Sequence, residues 1–326
     1  MEKLVKACKI YIGPMSKNVV DGVIKFANYS GKPIGLVASR RQVDYKGGYA
    51  NGWTTAEFVK YVKEQNNNII VCRDHGGVGQ GASYDDGILS FLEDKSFMDI
   101  IHIDPWKKYD FDKAVEYTIR VISKCVSDTT NCLFEIGTEE AIYSMSSEQL
   151  DSFISKIKAE LPEHFDKVVY AVIQSGTSLK SGTNTGVYSK ERLISMVEVC
   201  KKHGLLSKEH NGDYLTGALI QEKFSLGLDA INIAPELANI ESEIILNSIN
   251  KTQKLWWYDL CIKDGQWYKW FPEGFDPSIN KDEVLRLCGH YVFSLKEFDE
   301  VCDLHAINSV VASKICAFIE ERIPNE

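Results

Sequence analysis

Residues 68–81 read NIIVCRDHGGVGQG: an apolar run ends in Arg73, Asp74 and His75 and then breaks into a glycine-rich turn. A short apolar run that stops at such a turn is typical of a buried β-strand. An acid beside an imidazole is also a pair that enzymes use for proton transfer or metal binding. The stretch therefore predicts one strand of the fold and the position of a site.

The same pattern, a short β-rich run followed by an amphipathic helical segment, recurs along the chain. The strand candidates are residues 9–13, 33–39, 68–74, 99–104, 132–137, 168–175, 205–210 and 230–234. Eight strands, each followed by a helix or a long loop over about 250 residues, predict an α/β fold of the (β/α)8 TIM-barrel type. A doubly wound open sheet is disfavoured, because no GxGxxG motif opens a helix after the first strand.

The chain after the eighth strand and its helix has a different composition. It contains the aromatic cluster LWWYDLCIKDGQWYKWF at 255–271 and two further helical patterns. We predict that residues 1–250 form a catalytic TIM-barrel domain and that residues 251–326 form a C-terminal helical extension packed on it. The aromatic cluster is interpreted as packing, and a dimerisation element is the alternative.

Composition excludes several classes of function. The 326 residues carry a net charge of −9, which disfavours a surface that tracks nucleic-acid phosphates. The sequence shows no signal peptide and no apolar stretch long enough to cross a membrane. Nine cysteines, an odd number without a CxxC pair, indicate reduced thiols and a cytoplasmic protein.

Polar residues stand at the carboxyl ends of the predicted strands, where the βα loops of a TIM barrel converge and form its active site. They are Ser39, Arg40, Arg41 and Gln42 after strand two, Arg73, Asp74 and His75 at strand three, His102 and Asp104 at strand four, Glu135, Glu139 and Glu140 at strand five, Gln174 and Lys180 at strand six, Glu209 and His210 at strand seven, and Asn232 at strand eight.

Two of these histidines, His75 and His210, together with nearby carboxylates suit a divalent metal such as zinc, with room for a substrate oxygen. The glycines after His75 are expected to let backbone N–H groups approach a phosphate or the substrate. For His102 a structural role is favoured, because its strand looks internal. Solvated or hydrogen-bonded histidines without a metal remain the alternative.

Seven blocks of the sequence together resemble the class II tagatose-bisphosphate aldolase accessory-subunit family. The blocks are SRRQVDYKGGYANGWTTAEF (39–58), VCRDHGGVGQG (71–81), IHID (101–104), EIGTEEA (135–141), VIQSG (172–176), EHNGDYLT (209–216) and NIAPEL (232–237). The resemblance extends from about residue 10 to residue 250 and, more weakly, through the tail. That family is similar in turn to the zinc-dependent class II fructose-bisphosphate aldolases, which are TIM barrels.

The resemblance implies a role for several residues. Asp74 matches the catalytic acid/base, and His75 and His210 match the first and last histidine ligands of the metal. Glu135 matches a glutamate that binds the metal in its buried position, and Glu139 or Glu140 matches a loop glutamate used in proton transfer. Asn232 matches an asparagine that contacts the ketose or the dihydroxyacetone phosphate.

The sequence departs from the family in the segment after strand six, QSGTSLKSGTN at 174–184, which lacks the expected histidine. Glu135, Gln174 or water would then complete the metal shell, or the site would prefer Mn²⁺ or Mg²⁺ to Zn²⁺. Alternatively, Lys180 occupies this area as a cation that binds phosphate or carboxylate.

These residues predict a metal-dependent class II aldolase, a carbon–carbon lyase that acts on a phosphorylated or acidic sugar through an enediolate. The substrate-binding set is expected to be Arg40, Arg41, Gln42, Arg73, Asp104, Gln174, Gly176, Lys180, Ser181, Gly182 and Asn232. The three arginines would bind an anionic end of the substrate, since a guanidinium fork suits phosphate or carboxylate.

Three alternatives stay open. A retro-aldol sugar epimerase would use the same chemistry but recombine the fragments before release. A non-catalytic subunit would support a separate sugar-bisphosphate aldolase. A metal-independent enzyme would use Lys180 as a Schiff base. We expect a homo-oligomer that binds neither nucleic acid nor a membrane.

Overall fold

Eight parallel strands close into a barrel in the computed structural model, which describes residues 1–127, 131–180, 182–301 and 305–324. Each strand pairs with the next along the chain, and the last pairs with the first. The strands are β1 Ile10–Ile12, β2 Gly35–Ser39, β3 Ile70–Gly76, β4 Ile100–Ile103, β5 Leu133–Ile136, β6 Val168–Val172, β7 Leu206–Glu209 and β8 Ala230–Ile233. The predicted (β/α)8 TIM barrel is confirmed.

Helices surround the barrel and form most of the C-terminal region. They are α1 Glu2–Ala7, α2 Lys17–Ser30, α3 Thr55–Gln65, α4 Ile88–Phe97, α5 Phe111–Val126, α6 Ser147–Glu160, α7 Lys190–His203, α8 Gly217–Ser225, α9 Pro235–Ser248, α10 Lys251–Asp264, α11 Lys281–Cys288, α12 Lys296–Val301 and α13 His305–Glu320. A short hairpin, Leu179–Lys180 with Thr183–Asn184, follows β6.

Capping residues explain where two of these helices begin. Thr54 accepts a hydrogen bond from the backbone of Glu57, whose side chain bonds back to Thr54. Ser146 and Gln149 make the same reciprocal pair at the start of α6. Such capping boxes satisfy backbone N–H groups that would otherwise lack partners at the helix start.

Alternation along each strand separates two cores. Tyr11, Cys72 and Tyr170 belong to a cluster inside the barrel, whereas Val71 and Ile231 pack in the large core between the strands and the helices. Since side chains two residues apart share a face, Asp74, His102 and Asn232 lie above Cys72, Ile100 and Ala230 on the interior face. The barrel therefore directs these three polar residues towards its carboxyl-terminal opening.

The C-terminal region packs directly on the barrel helices. Val311, Ile315 and Ile319 of α13 join the large core. Helix α13 can pack closely against α2 because residue 22 is a glycine: a Cβ at Gly22 would lie only 2.6 Å from the Cβ of Ile315. Trp257 belongs to a second hydrophobic cluster, to which α9 and the helices after it contribute side chains. These contacts agree with an extension packed on the barrel, while its division at residue 250 stays a prediction.

Two further observations concern the described part of the chain. Its eight cysteines are buried and form no disulfide. Among its helices, none has both the length and the apolar character needed to cross a bilayer.

Candidate active site

The end of β3 departs from regular strand geometry. Arg73 pairs with Ile101 and Gly76 with Ile103, so β3 has one more residue than β4 between these two pairs. His75 has a φ of 42°, in the left-handed region that side chains other than glycine rarely adopt. Neighbouring side chains of a regular strand point to opposite faces. The bulge and the left-handed backbone allow Asp74 and His75 to reach the same cluster.

The first two glycines after His75 permit close packing of backbone against backbone. A Cβ on Gly76 would lie 2.7 Å from the carbonyl oxygen of His102, and a Cβ on Gly77 would lie 2.7 Å from that of Asp104. These glycines therefore let the turn pack against the end of β4. The approach of their backbone N–H groups to a phosphate or the substrate stays a prediction.

Asp74, His75, His102 and His210 form one cluster, in which one potential ligand atom from each lies within 4.8 Å of the others. Asp74 Oδ1 lies 3.4 Å from His210 Nδ1, 3.7 Å from His75 Nε2 and 3.8 Å from His102 Nδ1. This carboxylate oxygen is buried and has no hydrogen-bond partner. A buried anionic oxygen surrounded by ring nitrogens is a place for a cation, since an unpaired buried charge is costly.

Outer hydrogen bonds fix the orientation of two of these rings. His75 Nδ1 lies 2.6 Å from Asp104 Oδ2, and His210 Nε2 lies 2.6 Å from Glu135 Oε1. Histidines that bind metals usually donate their second ring N–H to a carboxylate or carbonyl in this way. The arrangement directs His75 Nε2 and His210 Nδ1 into the cluster, 3.4 Å apart.

His102 differs from the other two histidines. Its Nδ1 accepts the backbone N–H of His75 at 3.1 Å, and its Nε2 lies 3.1 Å from the carbonyl oxygen of Gly137. Both ring nitrogens therefore have backbone partners, and the ring connects the unusual backbone at His75 with the end of β5. This position fits the structural role that the sequence favoured.

The ionisable groups of the cluster shift one another's pKa values. Burial alone would raise the pKa of Asp74, but the charges of His75 and His210 outweigh it and hold that pKa well below its usual range. Burial lowers the pKa of His75, and the negative charge of Asp74 more than compensates, raising it to about 10. Asp74 is thus held as an ionised carboxylate beside these imidazoles, and its expected role as the catalytic acid/base stays a prediction.

Glu135 was expected to bind the metal, and the structure gives both of its oxygens other partners. Oε1 holds His210, and Oε2 accepts a hydrogen bond from Lys208 Nζ at 2.7 Å. Burial raises the pKa of Glu135, but Lys208 and His210 lower it overall. The Lys208 ammonium lies 3.9 Å from the centre of the Tyr11 ring and 5.2 Å from that of Tyr170. Glu135 is thus a support for His210 and stands outside the cluster.

The three arginines expected at the mouth separate into two kinds. Arg73 donates five hydrogen bonds, to Asp94, Ala38, Val43 and Thr55, and is fully buried on the outer side of β3. Arg40 also donates five, to Asp44, Asp85 and Gly77. A guanidinium has five N–H donors, so neither has one left for a substrate. Their expected substrate contact is corrected, and Arg41 is the arginine that lines a cavity.

Three other expected substrate-binding side chains are also occupied by the protein. Gln174 bonds to the backbone of Thr138, Tyr143 and Met145 and to Arg192. Gln42 bonds to the Ser39 backbone and to Met15. Asp104 holds His75 and the backbone of Trp106. These groups shape the site through their neighbours, and their expected contact with a substrate is not supported.

The two loop glutamates have different surroundings. Glu139 lines a cavity of about 450 Å³ together with His75, Arg41, Lys107 and Gln80. Glu140 instead forms an ion pair with Arg192 at 2.5 Å. Of the two residues expected to transfer a proton, Glu139 is therefore the one that shares a cavity with the imidazole of His75.

The remaining expected contacts lie near β6 and β8. Lys180 is on the hairpin, Gly182 lies in its turn and Gly176 precedes it, while Ser181 lies outside the described residues. Their binding of a phosphate stays a prediction. Asn232 is buried on the interior face of β8, and both its amide oxygen and its amide nitrogen lack a hydrogen-bond partner.

Two cationic residues were missed by the sequence analysis. Lys107 lines the cavity that contains His75, and Lys269 lines a neighbouring cavity that also includes Arg41. Lys107 follows strand four by only a few residues, so a longer window after each strand would have found it. Lys269 comes from the C-terminal extension, whose position over the barrel has no signal in the sequence.

Comparison with known proteins supports the fold. No protein-family model matches the chain, and no curated protein matches it. Among solved structures, a probable tagatose 6-phosphate kinase from Sinorhizobium meliloti aligns with a TM-score of 0.75 at 15% identity, covering 96% of this chain and 98% of that one. A fructuronate–tagaturonate epimerase from Cohnella laeviribosi aligns with a TM-score of 0.70 at 11% identity, covering 97% and 80%.

A third solved structure, the fructose-bisphosphate aldolase of Campylobacter jejuni, aligns with a TM-score of 0.63 at 13% identity, covering 98% of this chain and 90% of that one. Identities this low show the fold alone. The chain therefore shares the barrel of sugar-processing enzymes that include aldolases. The resemblance to the accessory-subunit family itself is not supported by these comparisons.

Proposed function

We propose that this protein is a divalent-metal-dependent enzyme of the aldolase type, which breaks or forms a carbon–carbon bond in a phosphorylated or acidic sugar. The observation that carries the proposal is the unpartnered, buried Asp74 Oδ1 beside the inward-facing nitrogens of His75 and His210. The fold of sugar-processing enzymes supports the same conclusion.

The donor set fits a divalent ion. His75 Nε2, His210 Nδ1 and Asp74 Oδ1 would hold it, and two imidazoles with one carboxylate are a common set of three protein ligands at catalytic zinc sites, which leave a further position open. Zn²⁺ is the ion we propose first, and Mn²⁺ or Mg²⁺ is the alternative for a more oxygen-rich shell. Such an ion supplies Lewis-acid polarisation of a sugar carbonyl.

Residues around the cavity supply the other functions of a retro-aldol step. Glu139 would carry the proton of the hydroxyl at the cleaved bond, which requires a carboxylate within hydrogen-bond reach of the substrate. Asn232 would bind a substrate oxygen, because its amide has no protein partner. Arg41, unlike Arg40 and Arg73, is not held in an ion pair, and it would bind an anionic end of the substrate.

A retro-aldol epimerase is the second candidate, favoured by the fold shared with the fructuronate–tagaturonate epimerase. It would use the same residues and retain both fragments until they recombine. Trapping the free aldehyde separates the two activities: an aldolase releases it to an added hydrazine, whereas an epimerase converts its substrate to an isomer that ¹³C NMR detects.

The test begins with the metal content of protein purified without chelator. We expect about one equivalent of a divalent metal in the wild type and its loss in His210→Gln. His164→Gln, which lies outside the cluster, is the matched control and should keep the metal. Glu139→Gln should retain the metal and lower turnover of ketose phosphates or ketouronates by about 10²–10⁴-fold.

Other results would count against the proposal. Protein that binds no divalent metal at micromolar concentrations, and that acts on none of these sugars, would not be this enzyme. If His210→Gln then impaired only association with a separate aldolase, the non-catalytic subunit would be the correct interpretation.

A further inference from the structure

Three cations from separate parts of the chain line two neighbouring cavities, one of which contains His75. Arg41 follows β2, Lys107 follows β4, and Lys269 belongs to the C-terminal extension. Arg41 lines both the 450 Å³ cavity of His75 and a second cavity of about 590 Å³. The guanidinium therefore lies on the boundary between the cluster and the extension.

The second cavity is built from the β2–α3 loop and the extension. Its lining includes Lys46, Tyr49, Tyr268, Lys269 and Tyr291. Lys269 Nζ lies 6.0 Å from the centres of the Tyr268 and Tyr291 rings. Aromatic rings together with ammonium groups form a surface for an anion that carries an apolar or sugar portion.

Acidic residues lie near two of these cations, Asp104 near Lys107 and Asp264 near Lys269, without forming an ion pair with them, and Lys269 donates a hydrogen bond to Gln266. Within the described part of the chain, Arg41, Lys107 and Lys269 take part in no ion pair, in contrast to Arg40 and Arg73. Burial and then the charge of Arg41 lower the pKa of Lys107, and the charge of Asp104 only partly opposes them. Burial and then the charge of Arg41 also lower the pKa of Lys269, where Asp264 opposes the shift and Lys107 adds to it. The three groups thus repel one another, and a bound anion would relieve that repulsion.

We propose that Arg41, Lys107 and Lys269 bind a phosphate group of the substrate, so that the C-terminal extension completes the substrate site. The inference rests on the proposed function for the sugar to which the phosphate is attached. Three converging cations match a phosphate, which carries nearly two negative charges at neutral pH, better than a carboxylate with one. The sugar would extend from this phosphate across the shared cavity towards His75.

The experiment is a calorimetric titration of the full-length protein with inorganic phosphate, followed by acetate as the carboxylate probe. Binding is read without turnover, so the result is independent of whether the protein is an aldolase. Arg41→Gln and Lys269→Gln should each weaken phosphate binding roughly tenfold, the scale of one hydrogen bond to a charged group. Lys263→Gln, an exposed lysine on α10, is the matched control and should leave it unchanged.

Each outcome of the titrations either supports or overturns the proposed phosphate site. Tighter binding of phosphate than of acetate, with weakening confined to Arg41→Gln and Lys269→Gln, supports the proposal. Equal binding of acetate, or equal weakening in Lys263→Gln, overturns it, as does phosphate binding that neither cavity variant affects. Thermal unfolding of each variant without phosphate, expected to match that of the wild type, shows that the fold is retained.

Discussion

Two regions of this barrel that contain buried charges differ in how completely those charges are hydrogen-bonded. Behind β2 and β3, every N–H of Arg40 and Arg73 has an acceptor. At the carboxyl-terminal opening, the carboxylate oxygen Asp74 Oδ1 accepts no hydrogen bond. Burying a charge without a partner is costly, so a completed network indicates a structural role and an incomplete one indicates a place for a ligand.

Replacement of Asp74 is expected to have the largest effect. Asp74→Asn removes the negative charge that faces the imidazoles, so metal affinity should fall by more than the roughly 10–100-fold that loss of an outer partner causes. Turnover should fall with it. Metal titration and steady-state kinetics measure the two effects.

The same variant separates two roles for Asp74. If Asp74→Asn binds metal normally and still loses turnover, then Asp74 transfers the proton, as the sequence resemblance implies. The role that we give to Glu139 would then be wrong.

Arg73 tests the completed network. Arg73→Met leaves the buried carboxylate of Asp94 unpaired, which should lower the free energy of unfolding by about 3–5 kcal/mol. Arg41→Met, at the mouth, should change it by no more than about 0.5 kcal/mol. The double variant Arg73→Met/Asp94→Leu should recover most of the loss, because neither charge is then buried alone; urea denaturation gives all three values.

Glu241 is a third kind of buried charge, with neutral partners only. It contacts Ser16 and Asn18, and burial raises its pKa from 4.5 to about 7. The folded protein therefore binds this proton more tightly than the unfolded chain does. Stability from this group is present below pH 4.5 and is lost as the pH rises to about 7.

Glu241→Gln should remove that pH dependence. Above pH 7 the variant should be more stable than the wild type by up to about 3 kcal/mol, since one pKa unit corresponds to about 1.4 kcal/mol. Below pH 4.5 the two should agree. Chemical denaturation at several pH values measures the difference, and parallel curves for the two proteins would refute the assignment.

The smallest effect is expected at Asp104, which supports His75 from outside the cluster. Asp104→Asn keeps an oxygen that can accept the His75 N–H but removes its charge, so metal affinity should fall about tenfold. Asp110→Asn, at the exposed start of α5, is the control and should have no effect. An unchanged affinity in Asp104→Asn would mean that His75 is not a ligand.

The fold was readable from the sequence because each strand is a short apolar run and each interval is long enough for a helix. The alternation within NIIVCRD also carries more information than the sequence analysis used. Cys72 and Asp74 share the inner face, so Arg73 had to point outward, away from any substrate. That single observation would have removed Arg73 from the expected binding set.

Other features of the site depend on tertiary contacts that no local pattern records. Whether Glu135 binds a metal or supports His210 depends on Lys208, which lies 73 residues further along the chain. The separation of Glu139 from Glu140 depends on Arg192. The bulge that brings Asp74 and His75 together arises from the pairing of β3 with β4.

The floor of the barrel has a consequence for exchange with solvent. The Tyr11 and Tyr170 hydroxyls lie 3.2 Å apart, and Tyr170 donates to the backbone of Val5 in α1, which closes the amino-terminal end. Any small molecule that reaches the imidazoles must enter and leave through the opposite opening. Incoming and outgoing molecules therefore share one passage, so a slowly departing product would act as a competitive inhibitor of the next turnover.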